Sequence, residues 1–351
     1  MSAKSKDKIR IGILGASGYV GADLVRLLAG HHSADMRVLT ANAHAGKPMG
    51  QVYPHLAGLD LPDLQTIDEA NWDDLDVVFC GLPHGTTQKA IATMPDHVKV
   101  IDSSADFRFR NVETYAQWYG HEHYAPQLQP EAVYGLTEHY RDEIRHARLV
   151  ACPGCYPTAA LLLLIPLLKA GVIDAGDIII DAKSGVTGAG RSVKEANLFS
   201  EIADGFHPYG VASHRHAPEI EQELSVAAGR DLLVNFTPHL VPMNRGEFLS
   251  SYVKLEPGQR AVDLRNILEE RYKDEYFVRV LPEGSAPATR HVRGSNFVLL
   301  SAFDDRIPGR AILFATIDNL VKGSSGQAIQ NMNLMFGLDE TTALTQLPMF
   351  P

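Results

Sequence analysis

Over its first 150 residues the chain alternates short β-branched runs with longer stretches of helical spacing. Ile9-Arg10-Ile11-Gly12-Ile13-Leu14 ends in the turn Gly15-Ala16-Ser17-Gly18-Tyr19-Val20-Gly21, after which Leu24, Leu27 and Leu28 recur on one helical face. Met36–Thr40, Asp76–Cys80 and Val98–Asp102 repeat the strand pattern, and the last two are apolar enough to be buried on both sides, as parallel strands are. Strands alternating with helices predict an α/β doubly wound sheet, a Rossmann-like first domain. Residues 109–148, rich in His, Tyr and charge, read as a connection between domains.

The pattern changes after residue 150. Thr158–Lys169 is apolar on nearly every face and predicts a buried helix, kinked at Pro166 and ended by Gly171. Ile178–Ala182 opens a strand-rich half; Asn235–Pro242 and Gly246–Leu255 alternate like antiparallel strands, Val262–Tyr272 reads as a helix, and Asn296–Phe303 and Arg310–Ile317 as further strands. This half is expected to be α+β, one mixed sheet with helices on a face. Asp318–Gly323 then leads into a helix over about Ser325–Phe336, whose glycine entry suits a return to the first domain. The chain has 351 residues, more than the roughly 250–300 that one core supports. The expected division is 1–153, with 318–351 returning to it, and 154–317.

Composition narrows the partners. The formal charge of −10 has no basic stripe within it, which argues against a nucleic acid or an anionic membrane surface. Met1–Lys8 lacks the apolar core of a signal peptide, and the longest apolar run, Ala159–Leu168, is far short of the ~20 residues a transmembrane helix needs. The expected compartment is the cytoplasm. Three cysteines do not make a disulfide framework, and Cys80, inside a predicted strand, reads as core filler.

Candidate chemistry gathers at the turns. Gly15, Gly18 and Gly21 suit a dinucleotide site: a tight turn, close approach of backbone to a pyrophosphate, and a helix N-terminus, opened by Ser17, Tyr19 and Val20, facing the phosphates. The next strand ends in Thr40 without the Asp or Glu that holds the ribose of NAD, so NADP is favoured. Lys47 is a candidate for its 2′-phosphate, or a solvated loop lysine. Beyond later strand ends lie Pro83, in a candidate cofactor loop, and Arg108, which would clamp a phosphate or carboxylate or else pair with Asp106 on the surface. Glu138 would approach a ligand or stay a solvent-exposed loop carboxylate.

Val150-Ala151-Cys152-Pro153-Gly154-Cys155-Tyr156-Pro157-Thr158 places two thiols on a turn that opens a helix, where the dipole favours thiolate. A thioredoxin-like redox pair fits the spacing but needs no dinucleotide turn, and a zinc site needs more ligands than His214 and His216, two residues apart, would supply. One nucleophile with a bystander remains; Cys155, nearer the helix start, is the candidate. Ser184, Gly185 and Gly188 lie in a second glycine-rich loop, without the ending of an ATP P-loop, that suits cover over a cofactor or substrate. His214 and His216 flank Arg215, a candidate substrate ligand. A histidine beside a thiol is the usual acid or base, and on an extended segment both would point to one side.

Together these stretches resemble the N-acetyl-γ-glutamyl-phosphate reductases, the arginine-biosynthesis members of the aspartate-semialdehyde dehydrogenase-like family. The resemblance covers nearly the whole chain: GASGYVG, GLPHG, DSSADFR, YGLTE, PGCYPTA, SGVTGAGR, HRHAPEI and IDNLVKG. It implies Cys155 as nucleophile, His216 as acid/base with His214 in reserve, NADP on the first glycine turn and at Asn319, no metal, and a homodimer or homotetramer. It further implies a second, catalytic and dimerisation domain like that of glyceraldehyde-phosphate dehydrogenases, and an acyl-phosphate substrate reduced to a semialdehyde through a thioester, with phosphate released. Thr137 stands where the family pattern has proline, read as a loop change remote from the chemistry. Rival readings are a reductase of another acyl phosphate, aspartyl or carrier-bound aminoadipyl, and a catalytically silent NADP-binding regulator.

Overall fold

A computed structural model describes residues 8–350; the N-terminal stretch searched for a signal peptide lies almost wholly outside them. The chain forms two compact units, one of residues up to Pro153 with Ser324–Thr345, the other of Gly154–Gly323 with Gln346–Pro351.

In the first unit, β1 (Ile9–Leu14), α1 (Tyr19–Leu28), β2 (Ala34–Thr40), α2 (Met49–Val52), β3 (Leu64–Gln65), β4 (Val77–Cys80), α3 (Thr86–Ala92) and β5 (Lys99–Asp102) follow the predicted alternation. Then come α4 (Val112–Tyr119), β6 (Ala132–Tyr134), α5 (Thr137–His146) and β7 (Leu149–Ala151). The sheet runs β3-β2-β1-β4-β5-β7-β6, and every pairing is parallel. Its centre is apolar as the runs required: Ile11, Ile13, Leu14, Val77, Val78 and Phe79 have no exposed surface.

Residues 109–148 are not a connection. They add an edge strand and two helices to this unit, and their many aromatic and histidine side chains are packing groups. Tyr115 stacks on Tyr119 at 4.6 Å between ring centres, and its hydroxyl donates to Asp106 at 2.7 Å. Rings with polar tips bury well once those tips find partners, which a hydrophobic count does not register.

The second unit contains α6 (Cys155–Lys169), β8 (Ile173–Gly185), α7 (Phe199–Ile202), β9 (His207–Pro208), α8 (His216–Ala228), β10 (Asn235–Val241) and β11 (Glu247–Leu255). It ends with α9 (Ala261–Tyr272), β12 (Val278–Val280), β13 (Val298–Asp304) and β14 (Arg310–Ile317); α10 (Gly326–Met335) belongs to the first unit. Its mixed sheet runs β12-β13-β14-β11-β8-β10-β9. β10 and β11 are not neighbours: β8 lies between them, parallel to β10 and antiparallel to β11. Alternation reveals which face of a strand is buried but not which strand lies beside it.

Helix α6 begins at Cys155 itself, three residues earlier than the apolar pattern suggested, and runs on through Pro166. Proline lacks the N–H that would bond to the Leu162 carbonyl one turn earlier. The Tyr272 hydroxyl of α9 donates to that carbonyl at 2.6 Å, supplying the missing partner inside the core.

Candidate active site

In the first unit the glycine turn joins β1 to α1. Gly18 caps the helix and no side chain does, so the first-turn amides of Tyr19 and Val20 are open to a phosphate rather than to a capping oxygen. Gly21 admits no side chain: a Cβ there would strike the Gly15 carbonyl oxygen and lie 2.6 Å from the Ala16 Cα. Thr40, buried at the end of β2, accepts the Gly15 N–H on its hydroxyl at 3.2 Å. It therefore holds the turn's shape. The Tyr53 hydroxyl donates to the Ser17 carbonyl at 2.9 Å, while Lys47 and Pro83 are exposed on loops.

Arg108 and Asp106 do not form the surface pair considered above, because both are buried. Arg108 Nε donates to the Cys152 carbonyl at 2.8 Å, and Asp106 accepts the Gly85 N–H at 2.8 Å. Glu138 is not an exposed loop carboxylate: it lies in the first turn of α5, 3% exposed, and accepts from Gln330 at 3.2 Å. Nor is Thr137 a loop residue. It is buried at the start of the same helix and donates its hydroxyl to Asn331 at 2.7 Å.

The second unit carries the thiol turn. Gly154 caps α6, and Cys155 is its first helical residue, partly exposed. Cys152 is 1% exposed, and burial pushes its thiol up to about 12, which keeps it protonated. Burial raises Cys80 as well. Of the three thiols, Cys155 alone has both a helix N-terminus and an opening to solvent.

The turn is held from two sides. The Thr158 hydroxyl donates to the Gly154 carbonyl at 2.9 Å, and the Gly154 N–H donates to Glu219 Oε1 at 2.9 Å. The His216 ring, at the start of α8, lies directly on Gly154: a Cβ there would strike Nε2 and come within 2.6 Å of Cε1. His214 stands behind it, rings 4.7 Å apart, with Nδ1 accepting the His216 N–H at 3.1 Å. Burial, with the charge of exposed Arg215 added, pulls His214 down to about 4, so this ring is neutral at physiological pH. Spacing left the two histidines equivalent; packing makes His216 the one that touches the thiol turn.

Two family profiles match the chain, the semialdehyde dehydrogenase NAD binding domain over residues 10–147 and the semialdehyde dehydrogenase dimerisation domain over residues 155–319. A protein of Oryza sativa named probable N-acetyl-gamma-glutamyl-phosphate reductase, chloroplastic, is 56% identical over 348 residues, covering 99% of this chain and 84% of the relative. A Rhodospirillum rubrum protein named N-acetyl-gamma-glutamyl-phosphate reductase is 56% identical over 350 residues, covering 98% and 99%. This chain belongs to the semialdehyde dehydrogenase family. Among solved structures, aspartate semialdehyde dehydrogenase II of Vibrio cholerae, complexed with ASA, shares the fold at a TM-score of 0.72 and 17% identity, over 95% of this chain and 99% of that one. The NADP-bound aspartate semialdehyde dehydrogenase of Candida albicans does so at 0.68 and 17%, over 94% and 99%.

Within this semialdehyde dehydrogenase chain the remaining cofactor candidates form a second cluster, in the second unit. Ser184 is buried at the end of β8, its hydroxyl 3.3 Å from where a Gly188 Cβ would lie. Gly185 donates its N–H to the Gly246 carbonyl at 2.9 Å. Asn319 Oδ1 accepts the Gly246 N–H at 2.8 Å and Nδ2 donates to the Thr187 hydroxyl at 3.0 Å, so the side chain braces two loops. Among the described residues no group of three or more His, Cys, Asp or Glu side chains is placed to hold a metal ion, and no helix is long and apolar enough to cross a membrane.

Sequence reasoning missed Glu219 as a site residue, although it sits three positions after His216 on the same helix face, a spacing that signals shared placement. It also missed Tyr156 and Tyr209, whose hydroxyls meet at 3.2 Å beside the two histidines.

Proposed function

We propose that this protein reduces N-acetyl-γ-glutamyl phosphate to N-acetylglutamate semialdehyde with NADPH, through a thioester on Cys155. The observation that carries the reading is 56% identity, end to end, to proteins named for that reaction, in a chain whose one partly exposed thiol opens a helix beside a histidine. The cofactor fits the first unit: an uncapped helix N-terminus suits a pyrophosphate, and β2 ends at a buried threonine that presents no carboxylate to a 2′-phosphate. Tyr19 and Val20 would hold the pyrophosphate, and Lys47, exposed on the loop after β2, is the candidate for the 2′-phosphate. When bound, the cofactor supplies hydride.

The chain's own residues do the rest. Cys155 attacks the acyl carbon as thiolate; the C–S bond forms as the C–O bond to phosphate breaks, and phosphate leaves with that electron pair. Arg108 is the residue we assign to the departing phosphate, and Arg215 and Glu138 to the substrate's other polar groups. Once hydride has reached the thioester carbon, His216 protonates the carbonyl oxygen, giving a thiohemiacetal. Collapse returns that proton to His216 as the carbonyl re-forms and the thiolate is expelled. Glu219, by fixing the Gly154 N–H, holds the nucleophile in place. The dimerisation-domain match supports a homo-oligomer, which we take to be a dimer or tetramer, and cytoplasmic residence accords with this metabolism.

The test is the reverse reaction. NADP reduction that requires phosphate is expected with N-acetylglutamate semialdehyde; a preference for aspartate semialdehyde would overturn the substrate assignment.

A further inference from the structure

Helix α10, the segment that returns to the first unit, carries more polar side chains than a core helix needs. All 10 of its residues are buried, yet Gln327, Gln330, Asn331 and Asn333 are amides. A buried amide is costly unless its donors and acceptor are met. Those of Asn331, which has no exposed surface, are met by three separate segments. Nδ2 donates to the Gly135 carbonyl at 2.9 Å and to the Cys152 sulfur at 3.7 Å, and Oδ1 accepts the Thr137 hydroxyl at 2.7 Å. A carbonyl only accepts, so the contact with Gly135 fixes which way the amide points. The fit is close. A Cβ at Gly135 would lie 2.7 Å from Nδ2 and 2.8 Å from Val150 Cγ1, so the amide requires glycine there.

These segments all belong to the first unit, and two of them lead to groups assigned to the substrate. Thr137 opens α5 immediately before Glu138, whose carboxylate accepts from the neighbouring amide, Gln330. Cys152 directly follows β7, and its carbonyl accepts Arg108 Nε at 2.8 Å, while Nη2 donates to the Ser103 carbonyl at 3.3 Å. The plane of the guanidinium is thereby set by two backbone carbonyls just beyond the ends of β5 and β7. Those ends are tied together: the Cys152 N–H donates to the Asp102 carbonyl and the Gly135 N–H to the Ala151 carbonyl, each at 2.7 Å. Asn331 closes the row from the helix side.

Resting on the reading of Arg108 as the phosphate ligand, we propose that Asn331 is a positioning residue for the substrate. Through Cys152 it holds the Arg108 guanidinium where the phosphoryl group binds, and through Thr137 it holds the first turn of α5. Cys152, a bystander to the covalent chemistry, is the link to Arg108. Thr137, which the sequence placed away from the chemistry, belongs to the frame of the phosphate site. Buried polar contacts that are satisfied at each member are rigid, and a guanidinium held in advance meets phosphate without reorganising.

The test is steady-state kinetics of the whole protein in the direction that consumes phosphate, with phosphate and NADP varied separately. N331A removes the amide and should raise the KM for phosphate about tenfold, the lower end of what a hydrogen bond to a charged group contributes, with the KM for NADP unchanged. T137V removes only the hydroxyl and should raise it about threefold, the effect of one neutral hydrogen bond; T137S, which restores the hydroxyl, should return it to the wild-type value. A merely structural role would lower kcat alone or move both KM values together, and either pattern in place of the split overturns the proposal. Should N331A fail to fold, the two threonine variants decide: an unchanged KM for phosphate in T137V contradicts the proposal. R108A separates the two levels of the argument. If it raises the KM for phosphate while N331A and T137V do not, the positioning role fails and the phosphate reading stands. If R108A leaves that KM unchanged, the phosphate reading fails and the positioning role with it.

Discussion

Replacing Gly154 by alanine tests the contact between the thiol turn and His216 with the smallest possible perturbation. One methyl group is added at a position where Nε2 and Cε1 of the imidazole already occupy its space, Cε1 at 2.6 Å. An ordinary contact between such atoms is about 3.5–4.0 Å, so ring and turn must separate by roughly 1 Å. The turn cannot yield easily, because Glu219 holds the Gly154 N–H and Thr158 its carbonyl. The displacement therefore falls largely on His216. Overpacking of this kind costs about 1–3 kcal/mol. In catalysis a misplacement of about 1 Å costs on the order of 100-fold, which is about 2.7 kcal/mol in the barrier. G154A should thus lower kcat by about 100-fold with little change in the KM for NADP, measured by absorbance of the nicotinamide in the phosphate-dependent direction. A folded G154A with kcat within threefold of wild type would refute the placement of His216 on the thiol turn.

Further outcomes follow from the same contacts. Glu219→Ala strips the acceptor from a buried N–H and should cost about 1–3 kcal/mol of stability and most of kcat, whereas Glu219→Gln, which keeps an acceptor oxygen, should fold like wild type; thermal melts and steady-state rates separate the two. Gly21→Ala should weaken NADPH binding at least tenfold in a fluorescence titration, since the added Cβ meets turn backbone, while iodoacetamide labelling of Cys155 stays unchanged. Tyr272→Phe leaves the Leu162 carbonyl without its hydroxyl and should cost about 1–3 kcal/mol in chemical denaturation while sparing kcat. Asp102 lies fully buried, and burial raises it to about 7, helped by Asp106. A carboxyl raised in the folded state binds its proton more tightly there than in the unfolded chain, so its contribution to stability is complete below about pH 4 and is lost as pH climbs to about 7. That loss is on the order of 4 kcal/mol, and Asp102→Asn should therefore raise Tm at pH 8 and leave it nearly unchanged at pH 4.

Features written in local sequence were legible. The glycine turn between β1 and α1 and the helix opened by Cys155 each depend on a few consecutive residues, whose spacing carries both the geometry and the chemistry. Cys152 and Cys155 were separable because one directly follows a strand and the other starts a helix. What escaped depended on partners far away in the chain. Glu138 looks like a loop carboxylate until Gln330 is brought to it, and Pro166 looks like a kink until Tyr272 supplies its hydroxyl. The choice between His214 and His216 rests on Gly154, some 60 residues earlier, and no periodicity encodes that contact.

The central claim, a covalent acyl group on Cys155, is tested by mixing the protein with N-acetyl-γ-glutamyl phosphate in the absence of NADPH and digesting it for mass spectrometry at acidic pH. The account predicts one N-acetylglutamyl group on the peptide containing Cys155, phosphate released in equal amount, and loss of the adduct as aldehyde when NADPH is added. An adduct on Cys152, or phosphate release with no adduct on any cysteine, would contradict it.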